Sequence, residues 1–248
     1  MTVRFGALTV DWLGHACVRL EGHTGVVIYV DPGPGRHGVL EGHEPGDGDL
    51  VVVSHGHHYD PASIRRVAHD ETIVVVHEAV DVTDLEHASE RPEDLPYEVE
   101  RVRDDEGFVL GPLDLFTTPA FNDPAGPNTD VDGEPYHPDG TGCGFGITVD
   151  GVTVYWPGDT DPFEFHADLE VDLFLAPIGG ATTMDRHEAA DLAGEMRPDL
   201  VLPVRYDLAG ERGDDADGVA AVDVDAFVLD VASRGVPVVL DSHPDADQ

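Results

Sequence analysis

Three histidines stand within four positions at His55-Gly56-His57-His58, directly after the apolar run Val51-Val52-Val53. Neutral imidazoles held on a sharp turn are what a zinc-like ion requires, and histidine is the commonest ligand for such ions. The competing reading is a histidine-rich surface loop. Three later stretches also close an apolar run with polar groups: Asn122 with the loop to His137, Gly158-Asp159-Thr160-Asp161, and Val204-Arg205-Tyr206. A purely structural chain has no need of polar groups at so many strand exits. Gathered on one edge of a rigid scaffold they would build a site.

Strands must deliver these groups. Residues 51–53 are β-branched and unbroken, the pattern of a short strand covered on both faces. Upstream, residues 8–13 alternate, the turn Gly14-His15-Ala16 leads into residues 17–20, and Glu21-Gly22-His23-Thr24-Gly25 turns into residues 26–30. This predicts an antiparallel meander, followed by a Gly/Pro-rich loop at 32–48 long enough to be a functional flap. Asp60-Pro61 opens a helix to about residue 68, with Asp as N-cap and Pro at the first helical position. A strand at 72–76 and a weakly patterned acidic stretch at 81–98 follow. Strands are expected again at 97–102, 108–110 and 113–117, then a second long loop at 123–142 and a hairpin at 143–149 and 152–156. A strand at 173–176 precedes the capping box Asp185-Arg186-His187-Glu188, which starts a helix to about residue 196. The chain closes with a strand at 200–203, an acidic loop at 207–218, a helix at 222–233 and a strand at 236–240. Each half runs from antiparallel strands into strand–helix–strand units. Two facing mixed sheets with outer helices, an α+β sandwich layered αββα, account for this order. No linker divides the chain, so residues 1–248 read as one domain with pseudo-repeated halves, about 1–120 and 121–248.

Charge is far from balanced: 13 basic against 51 acidic residues, a net −38, with a pI near 4.2. Every basic residue is arginine, and the chain has no lysine. The acids are spread along the length rather than gathered in a tail, so disorder explains them poorly. Such a surface repels itself in ordinary salt, and the penalty fades once molar salt shortens the screening length to about 3 Å. We expect a protein of a salt-loaded cytoplasm, haloarchaeal in type, whose charge is adaptation rather than chemistry. No basic stripe is visible for tracking phosphates, which speaks against nucleic acid as partner. No apolar run approaches the ~18 residues of a membrane span, and the N-terminal residues lack a signal pattern. Cys17 and Cys143 have no CxxC partner, which suits a reduced cytosol, and both read as small buried residues.

Read together and in order, several stretches resemble the metallo-β-lactamase-fold hydrolases, and within them the branch near the ascorbate-6-phosphate lactonases. They are Trp12-Leu13-Gly14-His15-Ala16, Asp31-Pro32-Gly33, Ser54-His55-Gly56-His57, Thr118-Pro119-Ala120-Phe121-Asn122, Gly158-Asp159-Thr160-Asp161, and Ala176-Pro177-Ile178-Gly179-Gly180 with Thr183-Met184. The resemblance covers nearly the whole chain and rests on shared order, not on any one motif. It implies a dinuclear site, usually zinc, sometimes manganese or iron. One ion takes the first two histidines of an HxHxDH motif and a histidine from a later loop. The other takes the Asp and last histidine of that motif and a C-terminal histidine. An Asp matching Asp159 bridges the two, and water activated by the metals attacks an ester, lactone or phosphodiester.

This chain departs from the pattern twice, both times at the second ion. Aligned without a gap, Tyr59 stands where the motif Asp belongs and Asp60 where its last histidine belongs. Aligned on Tyr59-Asp60-Pro61, two residues are missing before His58, the Asp among them. We favour the gapped alignment, because Asp60 already serves as a helix cap, although a role as catalytic group stays open for it. Relatives carry histidine where Arg205 stands, and arginine does not ligate metal because it stays protonated. The resemblance therefore implies His55, His57, His137 and Asp159 around one ion, with Asn122 the alternative to His137, and leaves His58 and Asp159 for a second. One ion per chain, zinc above manganese or iron, is the expectation. Arg205 then sets a fixed positive charge where the second ion stood, able to hold a carboxylate or phosphate or to stabilise an oxyanion. A plain salt bridge explains Arg205 equally well. His15 reads as a structural neighbour of the site, and the other histidines as solvated or capping.

The expected function is a cytosolic metal-dependent hydrolase, with metal-activated water attacking a small ester, lactone or phosphoester. A degenerate relative that binds metal or ligand without catalysis is the alternative, and a nuclease the third reading. The charge makes its own prediction: the thermal midpoint should rise steeply between about 0.1 M and about 3 M KCl, with loss of compactness at the low end. A midpoint that does not move with salt would overturn it.

Overall fold

Short strands of four to ten residues, most of them apolar on at least one face, build two sheets. The computed structural model describes residues 2–34, 42–85, 87–180, 182–206 and 222–241. The first sheet runs β1 (Thr2–Phe5), β2 (Leu8–Gly14), β3 (Cys17–Gly22), β4 (Val27–Val30), β5 (Gly48–Val53), β6 (Ala68–His77) and β7 (Glu98–Val102), side by side in that order. Strands β1 to β4 pair antiparallel, and β4 to β7 pair parallel. The second sheet repeats the plan with β8 (Gly107–Leu110), β9 (Leu113–Pro119), β10 (Cys143–Val149), β11 (Val152–Trp156), β12 (Leu173–Pro177) and β13 (Leu200–Val204). Here β8 to β11 are antiparallel and β11 to β13 parallel.

The two-residue side-chain period of a strand explains the layers. Leu50 and Val52 of β5 join Trp12, Val18, Leu20, Phe145, Ile147, Trp156 and Leu175 in the core between the sheets. Val51 and Val53 point the other way, onto Ile64 and Val67 of α1 (Pro61–Val67). Outside the second sheet, Ala189 and Ala193 of α3 (Arg186–Met196) and Phe227 and Val231 of α4 (Val224–Ser233) pack with Phe174, Ala176 and Val201. A one-turn helix, α2 (Glu164–Ala167), lies between β11 and β12. The expected αββα sandwich is what the chain forms.

The local signals act where they were read. Asp60 accepts from Ser63 N at the start of α1, with Pro61 at the first helical position. At α3 the carboxylate of Asp185 accepts from His187 N and Glu188 N, and Glu188 accepts in return from Asp185 N. Three differences have physical causes. Residues 236–240 were expected as a strand, but Val238 makes a single parallel bridge to Val201, because Pro237 has no N–H to continue the ladder. Strand β1 and helix α2 were not foreseen, since four residues are too few for a period to show. The loop at 207–218, the middle of the loop at 32–48, His37 and His243 lie outside the described residues. Among the described residues no helix is long and apolar enough to cross a membrane.

The exits of β4, β5, β9, β11 and β13 meet on one edge. Close backbone approach makes this possible at Gly158, which has φ +74 and where a Cβ would lie 2.8 Å from the carbonyl oxygen of Cys143. Gly142 does the same for the other sheet, since a Cβ there would lie 2.9 Å from that of His55.

Candidate metal centre

Asp31, at the end of β4, is fully buried and serves as the hub of the edge. Its Oδ1 accepts from Ser54 N at 2.7 Å, and its Oδ2 accepts from Ser54 Oγ at 2.6 Å and from Trp156 Nε1 at 2.7 Å. The same oxygen lies 2.8 Å from His58 Nδ1. The histidine turn after β5 is thus tied to β4 and to the far end of β11. With Nδ1 engaged by a carboxylate, His58 has Nε2 left for other work.

The donors gather next to this hub. His57 Nδ1 and His137 Nε2 lie 3.3 Å apart. Asp159 Oδ2 lies 3.5 Å from His137 Nε2 and 3.7 Å from His55 Nε2. Ligand atoms at about 2.0–2.1 Å from a tetrahedral ion sit about 3.3 Å from one another, so these separations are close to a formed site. Two overlapping groups, His55 with His57 and His137, and His55 with His58 and Asp159, each keep their ligand atoms within 4.8 Å. The polar atoms also ask for an ion. His55 Nε2 and Asp159 Oδ1 are buried without a hydrogen-bond partner, a costly state for groups this polar unless a cation satisfies them.

Electrostatics prepares the same set. Burial, reinforced by His58, pushes the His55 imidazole well below its ordinary 6.5, and lowers His57 in the same way. Burial takes His137 down to about 4. These rings are neutral at pH 7, with a lone pair to give. His58 is the exception, since burial lowers it but the charge and hydrogen bond of Asp31 prevail and raise it. Burial works to raise Asp159, yet Arg205 first and then His58, His137 and His55 hold its carboxyl far below the carboxylate range. Asp159 is therefore an anion, as a ligand must be.

Arg205 follows β13 in a left-handed backbone conformation, φ +59, with its N–H bonded to His15 O at 2.8 Å. Its Nη2 donates to Asp159 Oδ2 at 2.6 Å and to Thr182 Oγ1 at 2.9 Å. The guanidinium thus sits on the carboxylate oxygen that also faces His55 and His137.

Of the residues singled out from sequence, His55, His57, His58, His137, Asp159 and Arg205 come together here. Asp60 lies outside both donor groups and caps α1. Tyr59 is buried in the outer core with its hydroxyl on Glu90 O, so the ungapped alignment would give the motif Asp position to a core residue. Asn122 orients His137, its Oδ1 lying 3.1 Å from His137 Nδ1. His15 lies edge-on to His58 at 5.5 Å between ring centroids, as a structural neighbour. His77 and His166 were expected as solvated or capping and are buried, although His166 Nδ1 does cap α2 by accepting from Phe163 N. Asp31 and Thr182 were missed as site residues; Asp31-Pro32-Gly33 was read as one of the stretches that carry the family resemblance, with no role given to Asp31.

Comparison with known proteins agrees with this geometry. The Beta-lactamase superfamily domain matches residues 9–205. The chain belongs to this superfamily. A UPF0173 metal-dependent hydrolase of Methanosphaerula palustris is 32% identical over 218 residues, covering 85% of this chain and 88% of that one. Another from Pyrococcus furiosus is 30% identical over 207 residues, covering 79% and 84%. The chain is thereby a member of the superfamily's metal-dependent hydrolases. Igni18, a metallo hydrolase from the archaeon Ignicoccus hospitalis, has a TM-score of 0.67 at 25% identity, covering 96% of this chain and 95% of its own. A protein of Parabacteroides distasonis shares the superfamily fold at TM-score 0.75 and 21% identity, over 98% of this chain and 99% of its own.

The donor set makes a direct prediction. Changing His55, His57, His137 or Asp159 to Ala should abolish tight metal binding, read as metal content after dialysis. His23→Ala, at an exposed side chain, should keep it. Asp60→Ala should keep it too, at a cost of about 1 kcal/mol for the lost cap. Equal metal in all six variants would overturn the assignment.

Proposed function

We propose that this edge is a one-ion hydrolytic centre in which Arg205 takes the place of a second cation. The observation that supports it most is the 2.6 Å contact of Arg205 Nη2 with Asp159 Oδ2, made inside the donor cluster. His55, His57, His137 and Asp159 would hold the ion, and three nitrogens with one carboxylate oxygen suit zinc, with manganese or iron as the other candidates. Such an ion, when bound, supplies Lewis acidity and brings the pKa of water toward neutrality. What remains falls to the chain. Arg205 keeps Asp159 ionised and in place, and its donors not used by Asp159 and Thr182 are available to an anionic group of the substrate, or to charge that develops on an acyl or phosphoryl oxygen. His58 is committed to Asp31, and its remaining nitrogen adds one donor where a second ion would need three or four. A divalent ion sharing Asp159 with the guanidinium would also meet a repulsion of about 4 kcal/mol per unit charge, taking about 4 Å and an effective dielectric near 20.

The substrates on this reading are small esters, lactones or phosphoesters, as in the branch near the ascorbate-6-phosphate lactonases. The net charge of −38 supports a place in a salt-loaded, haloarchaeal-type cytoplasm and speaks against nucleic acid as substrate. Metal-reconstituted protein in molar KCl should hydrolyse at least one class in a panel of esters, lactones and phosphodiesters. That activity should be lost on chelation and regained on adding metal. Arg205→Gln should lower kcat/KM about 100-fold while the metal is retained. Folded, metal-replete protein inert across the panel would contradict catalysis and leave a ligand-binding relative.

A further inference from the structure

Asp161 is buried two residues beyond Asp159, and the proposed chemistry makes no use of it. Its carboxylate accepts three hydrogen bonds: at Oδ1 from Asn122 Nδ2 (2.9 Å) and Asn128 Nδ2 (2.5 Å), and at Oδ2 from Asp123 N (2.8 Å). A carboxylate accepts at both oxygens, and a side chain with no polar atom in its place would accept from none of these N–H groups.

The consequence passes along the chain of contacts. Asn122 is held one way round, its Nδ2 toward Asp161 and toward Thr182 O at 3.3 Å. Its Oδ1 faces His137, accepting from the backbone N–H at 3.0 Å and lying 3.1 Å from Nδ1. Thr182 O, the other neighbour of His137 Nδ1, lies at 3.0 Å and is itself steadied by Asn122. Both neighbours of Nδ1 are acceptors, so Nδ1 carries the proton and Nε2 presents its lone pair to the donor cluster. A reversed Asn122 amide would offer Nδ1 an N–H instead. Nδ1 would then face one donor and one acceptor, Thr182 O, and the tautomer with the proton on the nitrogen turned to His57 and Asp159 would become accessible.

We propose that Asp161 is a positioning residue that acts through Asn122 to fix the tautomer of His137. This rests on the reading of His137 as a metal ligand, and the test separates the two. In metal-free protein labelled at histidine nitrogen, NMR correlations report which ring nitrogen of His137 is protonated. The intact protein should show the Nδ1–H form alone. Asp161→Leu, which fills much the same space but accepts from none of the three donors, should show a mixture of tautomers. Its zinc affinity, read by competition with a chelator, should fall about 10–100-fold. Asn128→Ala removes a hydrogen bond from the same carboxylate oxygen without touching an acceptor of His137, and should keep the Nδ1–H form and the affinity. An Asp161→Leu protein that keeps tautomer and affinity would overturn the proposal. So would equal losses of affinity in Asp161→Leu and Asn128→Ala with the tautomer unchanged in both, which is the mark of a merely structural role. If His137→Ala keeps its metal, the ligand reading fails, and the tautomer still decides the part played by Asp161.

Discussion

The buried ion pair of Asp159 and Arg205 sets the terms for the whole edge. A carboxylate taken out of water costs several kcal/mol unless it is paired and hydrogen-bonded. Asp159 meets that condition through Arg205, and the arrangement holds only if Arg205 arrives at the right place. It does so from a left-handed backbone, tied through its N–H to His15 O and through Nη2 to Thr182 Oγ1. A non-glycine residue held at positive φ stores on the order of 1–3 kcal/mol of strain, which the surrounding contacts must outweigh. Such strain gathers at functional sites. Here it sits on the residue whose guanidinium reaches into the donor cluster.

Asp31 is the counterpart on the other side. Its carboxylate joins the ends of β4, β5 and β11, so the two sheets share one buried side chain where the histidine turn begins. Together, Asp31, Asp159 and Asp161 organise the imidazoles in different ways. Asp31 engages one ring nitrogen of His58, Asp159 stands among the donors, and Asp161 reaches His137 only through an amide. None of this draws on the surface acids, which is why a net charge of −38 and a finely ordered site coexist.

What could be read from the sequence follows the range of the interactions. The alternation of β5 between the inner core and α1, the Asp60 cap and the Asp185 box are local, and they appear where the pattern places them. The donors were legible because histidines and Asp159 at strand exits are few and chemically distinct. Asp31 was not, because its partners lie 23, 27 and 125 residues away, and a lone Asp before Pro-Gly reads as a turn. Thr182 contributes its hydroxyl to Arg205 and its backbone oxygen to His137, 23 and 45 residues away, which no local pattern can announce. The buried places of His77 and His166 depend on tertiary packing, which overrides the usual exposure of a lone histidine.

On the reading proposed for this edge, the guanidinium of Arg205 stands in for a second ion. Elemental analysis of dialysed, fully loaded protein tests it most directly, with protein concentration from amino-acid analysis. Roughly one metal per chain is expected, since His58 and Asp159 are too few to complete another site. A reproducible value of roughly two would contradict it, and would mean that a second ion shares Asp159 with Arg205 after all.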